Sequence, residues 1–284
     1  MNNLSVLRKS QGAKLQNLFE VSALQSLHVE NSRETPKMKK ISSWGLFSLP
    51  SKHIWRCLVA EFLGTFLLIF LCCGTDLYTK ESESPIVIVA FSWGLAEATL
   101  IQTLSHVSGC HINPAVTLAM LVTGKIEVIK SMLYIIIQCI ASIVAITVLN
   151  TFKPEHSKGS YGAVSLAANL TKLQGVGIEF VSTFVLVLSM FSLSDENRND
   201  VKGSRPLAIG LCITMLIFVG ADTTGTCLNP ARALGPAVFM GVYDDLWVYW
   251  VAPIGGALAA AIVYERVFRN FRPGEMEDVE SKHY

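Results

Sequence analysis

Long apolar runs separated by short polar connections dominate the chain from about residue 54 onward. Each run approaches the roughly 20 residues that an α-helix needs to cross the hydrocarbon core of a bilayer. The pattern therefore predicts six transmembrane helices, at residues 54–77, 85–104, 127–152, 174–193, 206–220 and 246–267. The fifth of these is bounded mainly by its context, because its apolar run is the shortest.

Two further apolar runs, one in each half of the chain, each begin at an Asn-Pro-Ala motif. The motifs are Asn113-Pro114-Ala115 and Asn229-Pro230-Ala231. Asn is favoured at the N-cap of a helix and Pro in its first turn, so each motif predicts a helix start. Two to three turns are too few to cross a bilayer. We therefore predict two re-entrant half-helices whose N-termini lie near the bilayer midplane.

The two halves of the chain repeat one another. Glu61 lies in the segment AEFLGTF and Glu179 in IEFVSTF, and each precedes the Asn of its motif by a similar distance, 52 and 50 positions. The repeats cover about residues 53–152 and 174–268. Because three spans per half is an odd number, the second repeat must be inverted in the membrane relative to the first. The predicted fold is an all-α membrane protein with an inverted repeat.

Glu61 and Glu179 lie inside apolar spans, where a charged side chain is costly and is usually paired or functional. We expect each carboxylate to support the loop before a half-helix by accepting hydrogen bonds from the backbone N–H groups of that loop. A proton-relay role is the alternative.

Composition places the chain among membrane proteins, with 51% hydrophobic and 16% charged residues. A formal net charge of +1 predicts no nucleic-acid partner. The seven cysteines have no metal-like spacing, which favours free thiols over a metal site or a disulfide framework. The sequence has no P-loop, His-Glu-x-x-His or Gly-x-Ser-x-Gly motif, so we expect no enzyme and no cofactor.

The ends of the chain predict its domain organisation. Residues 1–52 are polar with scattered bases and no signal-peptide core, which favours a disordered tail, with a transit peptide as the alternative. A membrane-spanning domain, 53–270, and a second tail, 271–284, follow. Lys and Arg in both tails and in the even-numbered connections predict cytoplasmic termini of a multi-pass protein of the cell membrane. That orientation puts the glycosylation sequon at Asn169 outside and a second sequon, at Asn3, inside.

These motifs resemble those of the aquaporins, in the major intrinsic protein family. The likeness covers about residues 55–269 and rests on the paired Asn-Pro-Ala, on SGCHINPAV and on NPAR followed by GPAV. It implies a homotetramer in membrane lipid, with a pore for water and small neutral solutes in each subunit.

The resemblance also implies a selectivity filter, at Trp93, Ile217, Thr226 and Arg232. Arg232 follows the second motif directly and fills the filter arginine position of the family. Water-selective members have Phe, His, and Cys or Ala at the other three. Ile217 is nearly as bulky as His. Compared with His, it therefore lowers the polarity of the filter more clearly than it increases the width. The combination resembles family branches that pass glycerol, urea or ammonia, and the insect glycerol-permeable aquaporins also lack this His.

Other family positions match the water-channel pattern of the classical animal lineage, namely Ala233, Ala237, Tyr249 and Trp250. The ancestry therefore looks like a water channel with an altered filter. We expect passive permeation of water and small uncharged solutes such as glycerol and urea, with exclusion of protons and ions. A strict water-only channel is the first alternative. A secondary transporter is the second, because transporters also use inverted repeats and broken helices.

Glu97 lies one helical turn after Trp93, so the two side chains share a helical face. If Trp93 faces the pore, Glu97 can line it too and offer an acceptor to solute hydroxyls or amides. A carboxylate paired between helices is the alternative.

Overall fold

A computed structural model of the chain describes residues 52–79, 82, 84–153, 160–198 and 200–269. The two predicted tails therefore lie outside the described residues, apart from Lys52. The described part contains eight α-helices and no strand. They are α1 Ile54–Tyr78, α2 Pro85–Ser108, α3 Pro114–Val122, α4 Val128–Thr151, α5 Lys172–Ser194, α6 Arg205–Gly220, α7 Pro230–Met240 and α8 Val248–Val263, followed by a π-helix, Tyr264–Phe268. All belong to one compact unit.

Six of the helices correspond to the predicted spans, and each end lies within four residues of the predicted one. Five are long and apolar enough to cross a membrane, counting α8 together with its π-helix. The sixth, α6, is apolar but has only 16 residues. At 1.5 Å per residue it extends about 24 Å, which is less than the roughly 30 Å of a typical hydrocarbon core.

The two shorter helices, α3 and α7, have 9 and 11 residues and confirm the predicted half-helices. Each begins at the Pro of its motif. The Asn113 side-chain oxygen accepts a hydrogen bond from the Ala115 backbone N–H at 2.8 Å. Asn229 accepts in the same way from Ala231 at 3.0 Å. Both Asn residues are therefore N-caps, and they satisfy backbone donors that a helix start leaves unpaired.

Helix packing has the twofold pattern expected of an inverted repeat. The pair α1–α4 corresponds to α5–α8, and the pair α1–α2 corresponds to α5–α6, while α2 and α6 pack on each other. Each half-helix contacts the last span of the opposite half more extensively than that of its own half: α3 packs mainly on α8 and α7 mainly on α4. The two repeats are thus interlocked rather than merely adjacent.

Helices α2 and α6 approach most closely where Gly94 faces Gly210. A Cβ atom at Gly94 would collide with the Gly210 backbone oxygen and with the Thr214 hydroxyl, and a Cβ at Gly210 would collide with the Gly94 backbone. The two backbones are in direct contact because neither residue has a side chain. This crossing fixes the position of Trp93, the neighbour of Gly94.

Candidate functional site

The loops before the two half-helices share an unusual backbone conformation. In each loop, two residues that are not glycine have positive φ. They are the first and the third residue after a glycine. The values are 49° for Cys110 and 42° for Ile112 in the first loop, and 48° for Thr226 and 59° for Leu228 in the second. A positive φ is strained for a residue with a Cβ atom, so other contacts must hold it in place.

In the first half, the Glu61 carboxylate supplies those contacts. Its Oε1 accepts from the His111 backbone N–H at 2.9 Å, and its Oε2 accepts from Ile112 N–H at 2.7 Å. The Ser108 hydroxyl and the Gln138 amide also donate to it, at 2.7 and 2.8 Å. The side chain is completely buried. Four hydrogen bonds from neutral donors therefore compensate the cost of burying this carboxyl group.

In the second half, Glu179 occupies the matching place. It accepts from the backbone N–H groups of Cys227 and Leu228, at 2.9 and 3.0 Å, and from the Thr224 hydroxyl at 2.5 Å. The donor set lacks a counterpart of Gln138, so Glu179 has one hydrogen bond fewer than Glu61. Both glutamates thus contact the irregular loops that precede the half-helices.

Asn113 and Asn229 connect the two loops crosswise. The Asn113 side-chain N–H donates to the Leu228 carbonyl at 2.9 Å, and the Asn229 side-chain N–H donates to the Ile112 carbonyl, also at 2.9 Å. These bonds hold the N-termini of α3 and α7 against each other. Each side-chain nitrogen has a second N–H that makes no hydrogen bond to a described residue, so both remain available as donors at the junction.

The four residues of the expected filter line a single cavity of about 300 Å³. Trp93 comes from α2, Ile217 from α6, Thr226 from the second loop and Arg232 from α7, and each is at most 8% exposed. The cavity therefore lies where both repeats contribute a wall. Loop residues 160 and 162–165 and Asp76 are among the other residues of the lining.

Arg232 is held in a fixed position within this cavity. Its guanidinium carbon lies 4.9 Å from the centre of the Trp93 ring, and its Nη1 donates a hydrogen bond to the Gly162 carbonyl. The Thr226 hydroxyl is also engaged, because it donates to the Leu216 carbonyl at 3.3 Å. The cavity thus combines one oriented cation with an aromatic face and the apolar side chain of Ile217.

Several residues of the site were not found by sequence reasoning. Gly162 and Asp76 lie in or beside polar connections, which carry no periodic signal. Gln138 was detectable as a lone amide inside an apolar run. Tyr134 donates to the Ser108 carbonyl and Tyr249 to the Thr224 carbonyl, each at 2.9 Å. Tyr249 was noted in the sequence only as a family position. The two tyrosines are 115 positions apart, close to the repeat spacing, so the repeat itself indicates their shared role.

The remaining expected site residues lie apart from the filter. Glu97 is buried in α2, 9% exposed, and makes no hydrogen bond or ion pair with a described residue. Asn169 is exposed in the turn that precedes α5. The described residues include no cluster of three His, Cys, Asp or Glu side chains suited to a metal ion, and all seven cysteines are free thiols.

Comparison with known proteins places this arrangement in context. The model of the major intrinsic protein family matches residues 48–264. The chain is 41% identical over 222 residues to aquaporin-4 of Mus musculus, covering 77% of this chain and 69% of that protein. It is 41% identical over 221 residues to aquaporin-1 of Sus scrofa, covering 74% and 82%. The X-ray structure of the aquaglyceroporin from Plasmodium falciparum is similar with a TM-score of 0.66 and 25% identity, covering 75% and 96%.

Proposed function

Because the chain belongs to the major intrinsic protein family, whose aquaporins are channels and not enzymes, we propose that it passively conducts water and small uncharged solutes such as glycerol and urea. The observation that carries the proposal is the single cavity in which Trp93, Ile217, Thr226 and Arg232 meet.

The junction of the half-helices supplies the barrier to protons and cations. Each helix N-terminus carries roughly half a positive elementary charge, and here two of them meet. The free amide N–H groups of Asn113 and Asn229 add donors at the same point. A water molecule passing there accepts hydrogen bonds through its oxygen, while a cation is repelled. Arg232 adds a full positive charge at the filter.

The filter composition favours uncharged solutes larger than water. Ile217 has no polar atom, so it offers an apolar wall to the carbon side of a small polyol. The Trp93 ring offers a second apolar surface, and Arg232 offers donors to hydroxyl or carbonyl oxygens on the other side. A solute with one apolar and one polar side therefore finds matching walls.

A strict water channel is the second candidate. Aquaporin-4 and aquaporin-1 are among the similar proteins, and Ala233, Ala237, Tyr249 and Trp250 follow the water-channel pattern. Ile217 is nearly as bulky as the His of strict water channels, so a narrow filter supports this alternative. A secondary transporter is the third, and its flux would saturate and couple to an ion gradient.

The test is a set of swelling assays on purified protein in liposomes, with water, glycerol and urea gradients, on the wild type and on Ile217→His. We expect water flux in both and a fall of glycerol and urea flux in the variant, without saturation. Water flux alone, unchanged by the substitution, identifies a strict water channel. Saturation or dependence on an ion gradient identifies a transporter.

The orientation and surroundings of the channel form part of the proposal. The channel domain, residues 53–270, would lie in the cell membrane as a homotetramer, with both tails in the cytoplasm. The support is the distribution of basic residues and the family resemblance. Glu61 and Glu179 would serve as loop supports rather than as proton relays, because neutral donors already occupy both carboxylates.

A further inference from the structure

We propose that Glu97 is a hydrogen-bonding residue of the pore, used by solutes that carry several O–H or N–H donors, such as polyols and urea. The inference rests on the proposed function and adds to it a hydrogen-bond acceptor beyond the four filter residues. Trp93, Ile217 and Arg232 offer apolar surface and hydrogen-bond donors. A polyol or an amide also needs acceptors for its own O–H or N–H groups.

The position of Glu97 follows from helix geometry. Trp93 lines the filter cavity, and Glu97 lies four residues further along α2 on the same face. Four residues correspond to about 6 Å along the helix axis. Glu97 also lies near Glu61 and near Cys110, which belongs to the loop before α3. It is therefore one helical turn beyond the filter residue Trp93, on the side of that loop.

The alternative of a carboxylate paired between helices is not supported by its contacts. No Lys, Arg or His of the described residues lies within ion-pair distance of Glu97, and no described side chain or backbone group bonds to it. The Glu97 carboxyl oxygens have no hydrogen-bond partner among the described residues, yet the protein does not enclose them fully. A buried carboxyl group without a protein partner is costly, so contact with passing molecules is the role that its surroundings allow.

The acceptor matters because the side-chain amides at the junction of the half-helices and the arginine of the filter are donors. Asn113, Asn229 and Arg232 each present N–H groups. The carbonyls of Ile112 and Leu228 already accept from the two asparagines. A solute that gives up water around its hydroxyl or amide hydrogens needs a replacement acceptor, and Glu97 supplies one.

Three variants in liposomes test the proposal. Glu97→Leu removes the hydrogen-bonding group at similar size, and Glu97→Gln keeps the shape and an acceptor. Gln102→Leu is the matched control, a polar-to-apolar change on the exposed face of the same helix. For Glu97→Leu we expect glycerol and urea permeability, relative to water, to fall about threefold to tenfold, the factor that one hydrogen bond supplies. The other two variants should keep the wild-type ratio.

An unchanged ratio in Glu97→Leu would overturn the proposal. So would an equal fall of water and solute permeability in both Glu97 variants, because that result indicates a structural role. If the wild type passes water but neither solute, the proposed function fails separately. The Glu97 proposal then requires that Glu97→Leu, and not Gln102→Leu, alters water permeability.

A second measurement tests the location alone. Glu97→Cys should make water flux more sensitive to a mercurial than in the wild type, whose own seven cysteines provide the background. Sensitivity equal to that of the wild type would place residue 97 outside the pore and overturn the proposal.

Discussion

The guanidinium carbon of Arg232 lies 4.9 Å from the centre of the Trp93 ring. Such a cation–π contact, together with the hydrogen bond to Gly162, fixes the charge against one wall of the cavity. The two residues belong to opposite repeats, so the filter forms only where the halves are assembled. Its charge and its aromatic wall therefore depend on each other.

Replacing Arg232 by Ala should weaken the exclusion of protons and cations. Two unit charges about 6 Å apart repel by roughly 3 kcal/mol at an effective dielectric constant of about 20. We therefore expect proton leakage in liposomes to rise by roughly tenfold to a hundredfold, with water flux retained. A pH-sensitive dye measures the leakage. Arg266→Ala removes an exposed base instead and should leave leakage at the wild-type level. Equal leakage in Arg232→Ala and the wild type would assign exclusion to the half-helix junction alone.

Replacing Glu179 by Gln should destabilise the second loop. The amide NH2 group of Gln would face a backbone N–H, so at least one of the bonds to Cys227 and Leu228 is lost. Hydrogen bonds to a charged group contribute about 1.5–3 kcal/mol each. We expect a lower unfolding temperature in detergent and reduced water flux. Glu196→Gln, in an exposed connection, is the control, and matching unfolding temperatures in the two variants would refute the expectation.

Replacing Gly94 by Ala should impair folding, because the added methyl group collides with the Gly210 backbone. Overpacking of this kind costs about 1–3 kcal/mol, and more where backbone must move. Gly177→Ala is the matched control, because a Cβ atom there meets no neighbour. It should raise helix stability by up to about 1 kcal/mol. Thermal unfolding and folded yield measure both. A Gly94→Ala protein as stable as the control would show that α2 and α6 can separate at little cost.

The purified protein should have the mass of a tetramer. Each subunit has a mass of 31.1 kDa. Light scattering in mild detergent, corrected for bound detergent, should give about four subunit masses. The reason is that the family resemblance implies a homotetramer, a closed and symmetric assembly. Chemical cross-linking in membranes should end at the same species. A protein of one subunit mass under both conditions would contradict the prediction.

Asn169 should carry a glycan when the protein is made in cells with a secretory pathway. It is exposed, and the orientation inferred from basic residues puts it outside. Treatment with an N-glycosidase should increase gel mobility, and Asn169→Gln should abolish that increase while Asn3→Gln preserves it. A shift that depends on Asn3 instead would reverse the inferred orientation.

Much of the fold was predictable because membrane helices satisfy their own backbone hydrogen bonds and so leave a clear apolar pattern. The spans and the half-helices at Asn113 and Asn229 came directly from that pattern and from capping chemistry. The fifth predicted span, bounded mainly by its context, is α6, which is the shortest span when α8 is counted together with its π-helix. The π-helix Tyr264–Phe268 had no local signal.

The candidate site was predictable only as far as the repeat and the family resemblance extended. These located Glu61, Glu179 and the four filter residues. The segment around Gly162 was interpreted as a connection carrying a sequon, yet it binds Arg232 and lines the filter cavity. Its position depends on contacts with distant parts of the chain, at Asp76 and Arg232, and such contacts leave no periodic pattern in a loop.

The crosswise bonds of Asn113 and Asn229 also constrain how the protein is made. Synthesis proceeds from the N-terminus, so Asn113 and the Ile112 carbonyl are complete more than one hundred residues before their partners exist. Until Leu228 and Asn229 leave the ribosome, the first loop has no bonding partner for these groups. The first half can enter the bilayer early, but the junction of the two half-helices forms only after the final quarter of the chain has been synthesised.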